Sequence, residues 1–285
     1  MEIIKKVLPN DYELILSSDL HVGSPMVNED NIKEMVEYVA TTKNCFMTNF
    51  GDNIEAITPN DKRFAFSNTP YKTAQEQSDA VIKLLSPIKE KTLAIGLGNH
   101  EYHLLNIFNV SKYISEALGV PNGMYCYKLE IFDEQINLQH KYFFTHGNGQ
   151  ISSNAKDEIQ ALGNRKASLK NKLNKSGHAD VILAAMGHTH RSLVVEPTIN
   201  DQLYLTTEDG KIKQHYRYVE SQNASYIPPN ARWYVNNPSF MKLYSTPGSG
   251  YISYGEAAGY EPSEIGWSKV IVQNKQVVNV ERIII

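Results

Sequence analysis

The sequence predicts an α/β protein in which parallel strands alternate with helices, and three observations support this fold class. Five short apolar runs are bounded by glycine and polar residues, which is typical of strands buried on both faces. Helix-like stretches separate the runs, as they do in βαβ units. Each run ends in a cluster of polar side chains, and sites in such proteins lie beyond the carboxyl ends of strands.

The five predicted strands are each followed by side chains that can bind a metal or act in catalysis. These are residues 14–16 before Asp19 and His21, 45–47 before Asp52, 93–95 before Asn99 and His100, 142–144 before His146, and 181–185 before His188 and His190. We expect the five strands to form one largely parallel sheet, so that these side chains meet at the same edge.

The helices between the strands are predicted over residues 31–40, 74–85, 109–118 and 154–173. Asn28 is the expected N-cap of the first helix, and Pro87 is expected to end the second. After residue 190 the chain alternates extended segments with turns, including a hairpin around Asp209. We expect a single domain over residues 1–285, with the metal motifs in 14–190 and a second sheet built by 191–285.

Composition narrows the class of protein further. The formal net charge of −3 argues against a dedicated nucleic-acid or membrane-surface protein. No apolar segment is long enough to span a bilayer, and the first residues lack the apolar core of a signal peptide. The two cysteines, Cys45 and Cys126, indicate reduced thiols, since Cys45 opens an apolar run. These observations predict a cytoplasmic protein with no membrane partner.

The five clusters predict a metal centre only because they occur together. A single Asp at a strand end is more often a turn or cap residue, and a single buried His is more often a hydrogen-bonded core residue. His188 and His190 alternate in a segment we expect to be extended, so both should point to the same side. Imidazole, carboxylate and amide donors without a thiolate suit Mn²⁺ first, with Fe, Zn²⁺ or Ni²⁺ as alternatives.

The order and spacing of these residues resemble the five motifs of the calcineurin-like metallophosphoesterase superfamily. The motifs are Asp19-x-His21, Gly51-Asp52, Gly98-Asn99-His100-Glu101, His146-Gly147 and Gly187-His188-x-His190. The resemblance implies a four-layer αββα sandwich of two mixed β-sheets. It also implies two divalent metal ions, with Asp19, His21 and His190 on the first, Asn99, His146 and His188 on the second, and Asp52 bridging.

The resemblance further implies catalytic roles for His100 as proton donor, Asn99 as transition-state stabiliser, and Glu55 as the carboxylate that orients His100. The Asp-Arg-Gly of phosphoprotein phosphatases is replaced here by Glu55-Ala56-Ile57, which argues against that activity. The motifs are closer in style to repair-type nucleases and to bacterial or phage phosphodiesterases. They imply a phosphodiesterase that uses metal-activated water for in-line attack on nucleic acid or nucleotide. A phosphomonoesterase and a non-catalytic metal-binding scaffold are the alternatives.

Candidate substrate contacts come from two regions outside the motifs. Residues 151–178 carry six basic and two acidic side chains, and Lys166 and Lys170 within them are candidates for contacts with a phosphate backbone. A solvated helix face is the other interpretation of this run. Tyr251 and Tyr254 are candidates for stacking on a base, or for anchoring a long loop. The expected partner is a phosphoester such as DNA or a nucleotide, and the sequence identifies no protein partner.

Overall fold

The computed structural model of the chain describes residues 1–57, 59, 69–198, 203–216, 221–245 and 251–285. Over these residues the strands are β1 (Glu2–Val7), β2 (Tyr12–Ser17), β3 (Cys45–Asn49), β4 (Thr92–Gly96), β5 (Asn122–Met124), β6 (Cys126–Phe132), β7 (Leu138–Thr145), β8 (Leu183–Met186), β9 (Leu193–Val195), β10 (Leu203–Glu208), β11 (Lys211–Tyr216), β12 (Trp233–Asn236), β13 (Gly266–Gln273) and β14 (Gln276–Ile284). The helices are α1 (Glu29–Thr41), α2 (Ala74–Leu85), α3 (Asn99–Tyr102), α4 (Val110–Leu118), α5 (Glu158–Asn174) and α6 (Tyr254–Ala257).

Twelve of these strands form two mixed six-stranded sheets. Sheet I has the strand order β1-β6-β7-β8-β12-β9, and sheet II has the order β14-β13-β2-β3-β4-β5. Strands β2 to β5 run parallel in sheet II, and β7, β8 and β12 run parallel in sheet I. Antiparallel strands lie at the sides of both parallel groups. Strands β10 and β11 pair only with each other among the described residues, as the predicted hairpin.

Three apolar clusters show that the sheets pack face to face between helices. Leu14 and Leu16 of β2 face sheet I, whereas Ile15 between them packs with the outer helices α1, α2 and α4. Because successive strand residues point to opposite faces, β2 is buried on both sides, as its apolar run predicts. Helix α5 covers the outer face of sheet I through Leu169 and Leu173. The predicted four-layer αββα sandwich is confirmed.

Helix boundaries follow local capping chemistry. Helix α2 has the predicted bounds, and Thr73 and Glu76 before and within it form a capping box. The side chain of Asn28 caps α1 by accepting a hydrogen bond from the backbone N–H of Asp30. Helix α5 begins later than the predicted residue 154, because Asp157 caps it by accepting from Gln160 N–H at 2.8 Å.

Two expectations about the sheets were wrong. The five motif-bearing strands do not share one sheet, since β2, β3 and β4 belong to sheet II and β7 and β8 to sheet I. Residues 191–285 do not build the second large sheet either, since their only separate sheet among the described residues is the β10–β11 hairpin. Strand β13 pairs antiparallel with β2 and covers an edge that would otherwise expose unpaired backbone groups. Strands β9 and β12 extend sheet I beside β8.

The structure bears on the thiols and on membrane-spanning helices as follows from burial and helix length. Cys45 and Cys126 are both free thiols, and burial raises the pKa of the Cys45 thiol to about 12. Within the described ranges, none of the helices combines the length and apolar character needed to cross a bilayer. A cytoplasmic location and a single domain stay predictions.

Candidate metal centre

The strand ends turn sharply at the predicted ligands. Five of the seven have a left-handed backbone, with φ of 54° at Asp19, 48° at His21, 51° at Asp52, 69° at His188 and 56° at His190. This conformation is uncommon for residues other than glycine, and it concentrates at functional sites where the surroundings enforce it. The expected extended His188-x-His190 segment was therefore wrong, since β8 ends at Met186 and both histidines lie in the turn that follows.

Glu101 holds two of these turns together. Its side chain is fully buried and accepts hydrogen bonds from the backbone N–H groups of Gly98 at 2.8 Å, Asp52 at 3.1 Å and Ile54 at 3.1 Å. A fourth bond comes from Asn53 N–H. Sequence reasoning noted Glu101 only as part of a motif and missed this positioning role. An acidic residue three positions after the N-cap Gly98 was the available signal.

Asn236 plays a similar role for the turn after β8. Its side-chain amide donates to Thr189 Oγ1 at 2.7 Å and to the backbone carbonyl of Arg191. These two residues flank His190, so the contacts hold the turn that carries it. Strand β12, which ends at Asn236, runs parallel to β8. The apolar run ending in Asn236-Asn237-Pro238 has the same pattern as the other five strands, and sequence reasoning missed it.

The seven predicted ligands converge, and the Asp52 carboxylate lies between them. Asp52 Oδ2 is 3.1 Å from His146 Nε2, 3.8 Å from His21 Nε2 and 3.9 Å from His100 Nε2. On one side, Asp19 Oδ1 is 3.3 Å from His190 Nε2 and 3.8 Å from His21 Nε2. On the other side, Asn99 Oδ1 is 2.9 Å from His146 Nε2 and 2.6 Å from His188 Nδ1.

This donor set fits divalent cations. Asp19, His21 and His190 form one group whose ligand atoms lie within 4.8 Å of one another, and Asp52, His146 and His188 form a second. The Nε2 atoms of His21 and His190 face each other at 3.1 Å. Two neutral imidazoles with inward lone pairs would repel at this distance, and a cation between them would be bound by both. The absence of a thiolate among these donors suits Mn²⁺, Fe or Zn²⁺.

Burial and neighbouring charges shift the pKa values of several groups in this cluster. Burial alone would raise the pKa of the Asp52 carboxyl, but His146, His100 and His21 together hold it well below its usual range. Burial likewise would lower the pKa of His146, yet the carboxylate of Asp52, helped by those of Asp19 and Glu101, raises it to about 9. Burial would also lower the pKa of His21, but the carboxylates of Asp19 and Glu55, which accept from its ring, raise it well above the ordinary value.

Metal binding is therefore expected to release protons and to strengthen as pH rises toward 9. A histidine must lose its ligating proton to bind a metal, and His146 and His21 carry protons at neutral pH in the metal-free protein. At pH 7 we expect release of roughly two protons per protein. Titration calorimetry of Mn²⁺ in buffers with different ionisation enthalpies measures this number. Proton release near zero, with affinity independent of pH from 6 to 9, would contradict the prediction.

Glu55 contacts His100 differently from the expectation. The backbone carbonyl of Glu55 lies 2.7 Å from His100 Nδ1, whereas its carboxylate is 4.0 Å from that atom. The carboxylate instead lies 2.9 Å from His21 Nδ1. This is the other nitrogen of the ring from Nε2, which lies near Asp19 and Asp52. A carboxylate on the second nitrogen of a ligating imidazole fixes the orientation of the ring and makes it a better ligand.

A cleft of about 420 Å³ opens beside the four histidines His21, His100, His188 and His190. Tyr251 lines this cleft, whereas Lys166 and Lys170 are not among the described residues that line it. Burial of Leu169 in the outer core sets the rotation of α5, and the Lys170 ammonium contacts the Asn230 side chain. The side chain of Tyr254 lies outside the part of the chain that the structure describes.

Two mixed sheets between helices, with nitrogen and oxygen donors converging where five strands end, are the fold and motif arrangement of the calcineurin-like metallophosphoesterases that the sequence resembles. No family profile matches the chain, and no curated protein matches it. Solved structures with a similar fold include Vps29 of Chaetomium thermophilum, with a TM-score of 0.41 and 11% identity over 95% of this chain and 97% of that one.

Two further similar structures are of proteins named as phosphoesterases. A metallophosphoesterase from Sphaerobacter thermophilus has a TM-score of 0.37 and 14% identity, over 95% of this chain and 88% of that chain. The calcineurin-like phosphoesterase YfkN from Bacillus subtilis has a TM-score of 0.34 and 14% identity, over 96% of this chain and 90% of that chain. At TM-scores below 0.5 these similarities carry no function over to this chain, and the chemistry depends on the residues of the site.

Proposed function

We propose that this protein is a dinuclear-metal phosphodiesterase that acts on a nucleotide-sized substrate. The observation that carries the proposal is the convergence of the seven donors around Asp52, beside a cleft that His100 also lines. Asp19, His21 and His190 would hold one ion, and Asn99, His146 and His188 the other. Asp52 lies within 4 Å of histidines from both groups, which is the position required of a shared carboxylate. When bound, such ions polarise a phosphoryl group and activate water.

His100 is placed to supply a proton to the leaving group. A backbone carbonyl can only accept, so the contact with Glu55 means that Nδ1 of His100 carries a hydrogen. The other nitrogen, Nε2, then faces Asp52 and the cleft. In the protonated ring, Nε2–H lies 3.9 Å from the Asp52 carboxylate and can be donated to an alkoxide as it leaves.

The cleft supports a nucleotide over a DNA duplex as the substrate. Its volume of about 420 Å³ falls in the range of small-molecule sites. Tyr251 and Tyr260 line it and offer aromatic surface to a base. Lys166 and Lys170 of α5, the candidates for contacts with a phosphate backbone, are not among the described residues that line it, and Lys170 contacts Asn230. A single nucleotide ester therefore fits the described surface better than a polymer.

The proposal is tested by turnover. Protein loaded with Mn²⁺ is expected to cleave bis-p-nitrophenyl phosphate and thymidine 5′-(p-nitrophenyl phosphate) faster than p-nitrophenyl phosphate. Fast cleavage of the monoester with no cleavage of either diester would make the protein a phosphomonoesterase. No turnover of any of the three would favour a metal-binding scaffold.

The variant His100→Asn separates proton donation from metal binding. Loss of a general acid typically lowers kcat by about 10²- to 10⁴-fold. We expect a loss of this size with metal content equal to that of the wild type. His100 also lies in a group with His21 and Asp52 whose atoms could hold an ion. If the variant loses metal together with activity, His100 is a ligand and the proton donor must be another group.

A further inference from the structure

An arginine lines the cleft directly beside a metal ligand. Arg191 follows His190 in sequence, and its guanidinium Nη2 lies 3.0 Å from Oε2 of Glu261, which also lines the cleft. The side chain of Glu261 is 69% exposed, so this ion pair is open to solvent. Exposed ion pairs contribute little stability, and an incoming anion can replace the carboxylate at small cost.

The backbone around Arg191 is held firmly. Its carbonyl accepts a hydrogen bond from the Asn236 amide, and the next residue, Ser192, donates its N–H to Glu264 at 3.2 Å. Arg282 in turn donates to the Ser192 carbonyl at 3.2 Å. The base of the Arg191 side chain therefore has a set position relative to His190, while the guanidinium can change its partner.

Positive charge exceeds negative charge at this wall of the cleft. Glu261 Oε2 also lies 3.9 Å from Nη2 of Arg165, so that two guanidinium groups share one carboxylate. Guanidinium groups bind phosphate oxygens with paired N–H donors.

We propose that Arg191 and Arg165 form a second phosphate-binding corner, which holds a phosphoryl group of the substrate other than the one that is cleaved. This inference rests on the proposed function, and it defines the substrate class as a phosphodiester that carries an additional phosphate. The reacting phosphoryl group is bound at the metal centre. The additional phosphate displaces Glu261 from Arg191.

A matched pair of substrates tests the corner. Thymidine 5′-(p-nitrophenyl phosphate) is compared with the same compound bearing a 3′-phosphate, which adds one phosphoryl group and changes nothing else. We expect wild-type protein with Mn²⁺ to prefer the 3′-phosphorylated compound in kcat/KM by about 10- to 100-fold, the size of a charge-assisted hydrogen bond. Arg191→Ala should bring this preference close to one, and Arg191→Lys should keep part of it.

Two further variants separate a binding role from a structural one. Glu261→Gln removes the competing carboxylate and keeps Arg191, so the preference should stay or increase. If Arg191 and Glu261 only fastened the two walls together, both variants would lose activity alike. Lys112→Ala removes a positive charge on α4, outside the cleft lining, and controls for net charge. Its preference should equal that of the wild type.

A binding measurement keeps this inference separate from the proposed function. Thymidine 3′,5′-bisphosphate should bind the metal-free protein more tightly than thymidine 5′-phosphate does, and Arg191→Ala should remove the difference. If the wild type turns over neither ester but shows this difference, the proposed function fails and the corner stands. If the wild type shows no preference in either measurement, or if Arg191→Ala lowers kcat/KM equally for both esters, the corner is wrong.

Discussion

Replacing Asp52 with asparagine is expected to reduce the bound metal to at most one ion and to lower activity on the order of a thousandfold or more. The asparagine keeps a side-chain oxygen that can accept a hydrogen bond from the backbone N–H of His100, as Asp52 Oδ1 does at 2.9 Å. It loses the negative charge of Oδ2, which faces His146 and His21. Metal ions contribute several kcal/mol of charge stabilisation to such reactions, and one lost ion forfeits its share. Elemental analysis and turnover of a diester measure the two effects.

The matched control for this variant is Asp133→Asn. Asp133 is as deeply buried as Asp52, and it lies 2.8 Å from the Lys275 ammonium, away from the predicted ligands. The control should lower thermal stability, because it breaks this pair and weakens bonds from Gln135 and Asn137 N–H. Its metal content should equal that of the wild type. If Asp52→Asn also retained two ions, Asp52 could not be the shared ligand.

Adding one methyl group at Gly187 is expected to be nearly as damaging. A Cβ at this position would overlap Asp19 Oδ2 and Ser18 Oγ, both buried. The Asp19 carboxylate is already held by His188 N–H at 3.1 Å, so it has little room to move. Overpacking of this kind typically costs about 1–3 kcal/mol of folding stability, and a displaced carboxylate loses its place among the ligands. We expect Gly187→Ala to lose metal and to unfold at a lower temperature.

Gly163→Ala controls for the substitution itself. Gly163 lies inside α5, where an added Cβ would meet no atom within 4 Å. Because alanine is favoured over glycine in helix interiors, this variant should gain about 0.5–1 kcal/mol of stability with unchanged metal content. Thermal unfolding in the presence and absence of Mn²⁺ compares the two variants. If Gly187→Ala bound metal as strongly as the wild type, the turn could accommodate the added methyl group without displacing the Asp19 carboxylate.

The convergence of these donors could be predicted because its signal is local. Each predicted ligand follows an apolar run by a few residues, and the carboxyl end of a buried strand is where the backbone leaves the core. The helix caps at Asn28 and Asp157 are local in the same sense. The role of Glu101 was harder to find, because three of its four backbone partners lie in the turn after β3, more than forty residues away. Pairing over such distances leaves little trace in a single sequence.

By itself, the sequence determined which residues could bind metal and that strands would place them at an edge of the fold, since both depend on residue type and near neighbours. Only the tertiary structure decided how the motif-bearing strands divide between the two sheets, because pairing such as that of β2 with β13 joins segments more than 250 residues apart. It also decided that the Glu55 carboxylate lies closer to the imidazole of His21 than to that of His100. The rotation of α5, set by burial of Leu169, placed Lys170 against Asn230 and left Arg191 as the cation beside His190.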